Sequence, residues 1–218
     1  MGRSSFLRYT GTIELSADEI MKSVKDSWEK FLHPGTLRAN LLLISLFIAA
    51  FEMFKDSVIQ KPESFFCHGF NKDGLIISET YRNEVLSKSK SRLYASLLWF
   101  REMGAIDDAD LQIFDDIRRH RNEVTHELSD FLGNAERNFD ITKFQALIEL
   151  LSRIENWWFM NIELAIDPEM LPDGADPKDV IPAVLMNLRL MLEIALTDES
   201  EASYYYEAFK KGSTPEAG

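Results

Sequence analysis

Three arginines, two histidines and an asparagine crowd into the nine residues Arg118-Arg119-His120-Arg121-Asn122-Glu123-Val124-Thr125-His126. An imidazole titrates near neutrality and can take or give a proton. A guanidinium stays charged and can hold two oxygens of a phosphate through paired N–H groups. An amide beside them can orient either partner. A solvated helix in a chain of net charge −12 has no folding need for such a cluster. It is the one place in the sequence that suggests chemistry.

These residues must be positioned by a helix. Leu111, Phe114, Ile117, Val124, Leu128 and Phe131 recur at three- to four-residue steps or their multiples, the helical period. At about 100° per residue, Arg119, Asn122 and His126 fall together, roughly opposite that stripe. Arg118 lies between the two faces. Arg121 sits nearer the edge of the stripe, about 140° from His126 on a regular helix. His120 points differently from His126 and reads as structural. Asp107 or Asp108 can cap this helix, and Asp110 suits its positive end. Its end is expected near Leu132-Gly133.

The run Arg121-Asn122-Glu123-Val124-Thr125-His126 resembles the Arg-polar-x-x-x-His motif of HEPN domains (higher eukaryotes and prokaryotes nucleotide-binding). Asn122 fills the polar position, and the motif lies late in a long amphipathic helix. The resemblance implies an all-α fold and a metal-independent endoribonuclease. It gives His126 the acid/base role, Arg121 the scissile phosphate, and Asn122 the orientation of one or the other. Arg118 and Arg119 are additions from the sequence alone, as phosphate-steering residues. The resemblance further implies attack by the 2′-hydroxyl, a 2′,3′-cyclic phosphate product, and resistance of DNA. Family motif helices commonly meet across a dimer cleft, so a homodimer is expected, whose twofold axis could bring four side chains together. A toxin or phage-defence role, with an inhibitory protein partner, belongs to the same reading. No cofactor or metal is called for.

Composition bounds the alternatives. The balance of 24 basic to 36 acidic residues argues against a general nucleic-acid coat or a membrane-surface binder. One cysteine, Cys67, excludes an intramolecular disulfide and a cysteine-rich zinc site, and suits a reducing cytoplasm. The most apolar run, Ala39 to Phe51, is uncharged for thirteen residues, short of the roughly 20 that span a bilayer. It reads as a central core helix, not a membrane segment. No GxSxG, P-loop, GxGxxG or HExxH is found, and acidic helix residues such as Glu149, Glu155 and Glu163 do not form the Glu-x-x-His pairs of a di-iron bundle.

The chain then divides into an N-terminal arm, 1–15; one helical domain, 16–197, a bundle of about six helices; and an acidic, partly disordered tail, 198–218. Ser16-Ala-Asp-Glu19 is a capping box. Ile20, Val24, Trp28 and Phe31 give the first helix an apolar stripe, and Pro34-Gly35 stops it. Thr36 opens the second helix, expected to reach Gln60. Lys61-Pro62 to Arg82 is expected to be looser but pinned by Phe65, Phe66 and Phe70, with a turn at Asn71-Lys-Asp-Gly74. A third helix is expected from Asn83 to Met103, with Gly104 as its stop. The motif helix comes fourth. Asp140 caps a fifth, Ile141 to Ala165, and Asp176-Pro177 precedes a sixth ending at Leu196, with Pro182 able to move its start later. No β-alternating series is seen. Trp157-Trp158 reads as core or subunit packing.

The rival to an enzyme is a non-catalytic helical module that binds nucleotide, RNA or a protein through the same groove. On that reading Arg121 pairs with Glu84, Glu123 or another acid, and His126 packs at a helix seam.

Overall fold

The computed structural model describes residues 16–213, except residue 73 and residues 172–173. The expected arm, 1–15, lies outside the described residues. α1 (Ala17–Leu32) begins at the capping box: Glu19 N–H donates to Ser16 Oγ, and Ser16 N–H donates to Glu19 Oε2. His33 ends α1 and caps α2 (Pro34–Phe65), its Nδ1 accepting the Thr36 N–H at 3.2 Å. Pro34 therefore opens a helix as its first residue, where its missing N–H costs no bond. Thr36 lies inside α2 and is not its cap.

α2 is longer than the sequence suggests because it runs through Lys61-Pro62. Pro62 sits in the last turn, so only one helical bond is forfeited. Phe65 and Phe66 dock there on Trp99, Phe65 also on Trp158, and Lys61 pairs with the buried Glu155 at 3.3 Å. By length and composition α2 could cross a bilayer, with mean hydropathy 1.7 in its most apolar window, of which 33% is buried. In the fold it is the central element, touching α1 and the later helices Arg92–Glu102, Asp108–His126, Leu128–Gly133, Ile141–Trp158 and Ala183–Leu196.

The segment after α2 corrects the sequence reading. Cys67–Asn71 (β1) and Gly74–Ile77 (β2) form an antiparallel hairpin, Asn71 opposite Gly74. The expected third helix is broken into α3 (Glu79–Glu84), a 3-10 turn at Leu86–Lys88, and α4 (Arg92–Glu102). Ser91 caps α4 by accepting the Tyr94 N–H. The serines at 87, 89 and 91 compete with the helical bonding of this stretch: Ser87 bonds the Asn83 carbonyl, and Ser89 accepts the Ser91 N–H. Gly104 stops α4 with φ +79°, a conformation glycine adopts freely.

α5 (Asp108–His126), α6 (Leu128–Gly133) and α7 (Ile141–Trp158) follow. α7 passes through a π turn, Phe159–Glu163, into α8 (Leu164–Ile166). α9 (Ala183–Leu196) starts after Pro182, and α10 (Glu199–Ser213) packs on it. Residues 199–213 are thus helical where the sequence suggests a partly disordered tail. The described chain is an all-α bundle with one small hairpin. Its core runs through α2, α4, α5, α7 and α9, around Phe47, Phe54, Phe100, Phe114, Leu147 and Leu188.

Candidate functional site

α5 is built firmly at its start. Asp110 N–H donates to Asp107 Oδ1 at 2.9 Å, and Asp107 N–H donates back to Asp110 Oδ2 at 3.0 Å. The buried Asp110 also receives Arg153 Nη1 of α7 at 2.6 Å. Leu111, Phe114, Ile117 and Val124 face the core as their spacing predicts. His120 joins them. Its Nε2 accepts the Asp140 N–H at 3.3 Å, and its ring lies among Phe47, Phe131 and Phe139. That bond assigns the proton to Nδ1. Burial pushes the imidazole pKa down, against the carboxylates of Asp140 and Glu123. A structural role for His120 accords with this setting.

The other end of α5 departs from expectation. The helix stops at His126, Glu127 leaves helical geometry (φ −119°, ψ 31°), and α6 restarts at Leu128. The stripe is broken there, so Leu128 is exposed while Phe131 is buried with Ile44 and Val124. His126 becomes a helix-terminal side chain. It is exposed and has no hydrogen-bond or ion-pair partner among the described residues.

Arg121 points the other way, toward α2. Its Nη2–H donates to Glu52 Oε1 at 2.9 Å. The guanidinium carbon stands 5.3 Å from the Phe51 ring centroid, close enough for a cation–π contact. Nη1 is 3.5 Å from Asn122 Oδ1, and Nε is buried without a partner. Glu52 also pairs with Lys55 in a very short contact, and the Lys55 hydrogen bond is the largest of the influences that lower the Glu52 pKa. The acid that meets Arg121 is therefore neither Glu84 nor Glu123. The sequence signal for Glu52 is faint: it is the first charge after the apolar run ending at Phe51.

The remaining arginines are compensated locally. Arg118 pairs with Asp115 at 3.2 Å and Arg119 with Asp116 at 3.1 Å, both exposed contacts one turn back. A cavity of about 190 Å³ is lined by Asp116, Arg119, His120, Glu123, Asp140 and Lys143. It gathers Arg119 with His120, but neither Arg121 nor His126. A larger groove, about 510 Å³, lies between α1 and α6 and includes Val24, Trp28, Phe31 and Gly133. Among the described residues no group of three or more His, Cys, Asp or Glu is placed to hold a metal.

Asn122 and His126 thus share the open face of α5, while Arg121 lies at the edge of its buried face. Chemically, such a helix offers a free imidazole and a fixed guanidinium about 140° apart around the axis. No family model, curated protein or solved structure matches this chain.

Proposed function

We propose that this protein is a HEPN-type, metal-independent endoribonuclease acting on single-stranded RNA in the cytoplasm, as a homodimer and under the control of an inhibitory protein partner. The observation that carries the reading is the division of labour on α5. Arg121 is fixed on α2, whereas His126 is unpartnered and open to solvent at the helix end. An exposed imidazole can take and give a proton. In this reaction the 2′-oxygen loses its proton to His126 and bonds to phosphorus, the bond from phosphorus to the 5′-oxygen breaks, and the leaving 5′-oxygen takes a proton from water. Arg121 stabilises charge on the phosphoryl oxygens, Asn122 orients the imidazole, and Arg118 and Arg119 steer the strand. Because Arg121 and His126 diverge on one helix, two copies of α5 are needed to complete each centre.

The test is cleavage of single-stranded RNA in EDTA. Loss of a general acid/base costs about 10²–10⁴-fold, so His126→Ala should fall by that factor, with Arg121→Ala similarly affected. Equal activity in all three proteins, or none under any salt, removes the enzymatic reading. A monomer by sedimentation at micromolar concentration removes the shared centre.

One observation favours the second reading, a non-catalytic module binding nucleotide, RNA or protein. Arg118, Arg119 and Arg121 each already hold a carboxylate of this chain, so the positive field of the cluster is weakened. Binding of RNA without cleavage, unaffected by His126→Ala, would select it.

A further inference from the structure

We infer that Glu52, one helix away from the motif, is the positioning residue of Arg121. The inference rests on the nuclease reading only for what Arg121 is positioned to do. Arginine has a long, flexible side chain, and one at the rim of an apolar stripe would ordinarily extend into solvent. Here three contacts fix it. Glu52 Oε1 takes one Nη2 hydrogen at 2.9 Å, the guanidinium carbon stands over the Phe51 ring, 5.3 Å from its centroid, and Asn122 Oδ1 stands 3.5 Å from Nη1. Phe51 and Glu52 are consecutive on α2, the central helix of the bundle, and Phe51 belongs to the core, so the clamp is anchored there. Phe51 itself is buried and stacks on Phe114 of α5.

An arginine held by a carboxylate loses its net charge unless a third group restores it. Lys55 does so. It pairs with Glu52 Oε2, while Arg121 uses Oε1, so the triad keeps one positive charge. Glu52 also spends only one of the five guanidinium N–H groups. The clamp therefore sets direction and leaves donors and charge for an anion. All three side chains remain partly open to solvent.

Two measurements test this on the full chain. The first reads Arg121 directly, by phenylglyoxal labelling and peptide mass spectrometry. Arg121 should react about tenfold more slowly than Arg118, whose guanidinium is only loosely paired. Glu52→Ala should bring the two rates within about twofold, and Glu52→Gln, which keeps an acceptor, should retain most of the protection. Equal rates in the wild type overturn the proposal, whatever the protein does to RNA. The second reads catalysis. Glu52→Ala should lower kcat about 100-fold with KM nearly unchanged, as small misplacements of a reacting group do. Glu52→Gln should recover much of that loss, which a purely structural ion pair would not produce. Unchanged or raised kcat in Glu52→Ala overturns the proposal, a rise marking Glu52 as a blocker of the arginine. If the wild type cleaves no RNA, the proposed function fails while the labelling still decides the role of Glu52.

Discussion

α1 and α5 start with the same device, a reciprocal capping box, Ser16 with Glu19 and Asp107 with Asp110. Both then carry apolar residues at helical spacing. In α5 these are sealed: Phe114 is 1% exposed, Ile117 and Val124 0%. In α1, Val24 is 52% exposed and Trp28 59%, with Ile20 and Phe31 also open. The difference lies in the neighbours. α5 is packed between α2 and α7, whereas α1 rests on α2 and α6 and is held by polar ties to the segment that follows α6. Lys30 donates to the Asn134 and Arg137 carbonyls, and Ser27 Oγ accepts the Ala135 N–H. Periodicity announces an apolar face; what covers it is decided by parts of the chain far away in sequence.

The largest effect should come from emptying the sealed stripe. Phe114→Ala removes a ring that meets Phe51, Phe54 and Tyr94, and should cost about 3–5 kcal/mol in denaturant unfolding. A loss under about 1 kcal/mol would mean that α5 is not packed as described.

An intermediate effect belongs to the polar member of that stripe. His120→Ala leaves the Asp140 N–H without its acceptor, and should cost about 1–3 kcal/mol at pH 7.5. Its folded pKa lies below the ordinary value because burial penalises the cation. As pH falls below about 6.5 the unfolded chain takes up this proton first, so His120 contributes full stability above that pH and loses it below. Lys143 and Arg137 reinforce the shift, while Asp140 and Glu123 oppose it. The variant should show a shallower decline between pH 7 and 5; parallel curves would contradict the assignment.

The smallest effect should be on the open stripe. Trp28→Ala should change stability by no more than about 0.5 kcal/mol, as exposed substitutions do. A cost matching that of Phe114→Ala would collapse the contrast, because it would show α1 covered in solution.

Much of the local structure was legible. Ser16 and Asp140 cap where their side chains and the following residues say they should, and Gly104 ends α4, whereas Asp176 caps only a 3-10 turn at Pro177–Asp179 and α9 starts after Pro182. The motif helix was found with its cap and its buried face. The hairpin at 67–77 was missed because its strands are short and its first carries a register irregularity, so no alternation is sustained. The break at Glu127, which leaves His126 at a helix end, has no glycine or proline to mark it. Glu52 was invisible as a partner of Arg121 because the two lie on different helices.

By itself, the sequence determined where the main helical stretches lie, where α1, α5 and α7 begin, and that one helix carries a guanidinium, an amide and an imidazole in a fixed order. These are short-range matters, governed by caps, turn residues and the 3.6-residue repeat. Tertiary structure alone decided that Arg121 turns inward to Glu52 and Phe51, that His126 is left open, and that the stripe of α1 is uncovered. Those outcomes depend on contacts between residues distant along the chain, which no local pattern encodes.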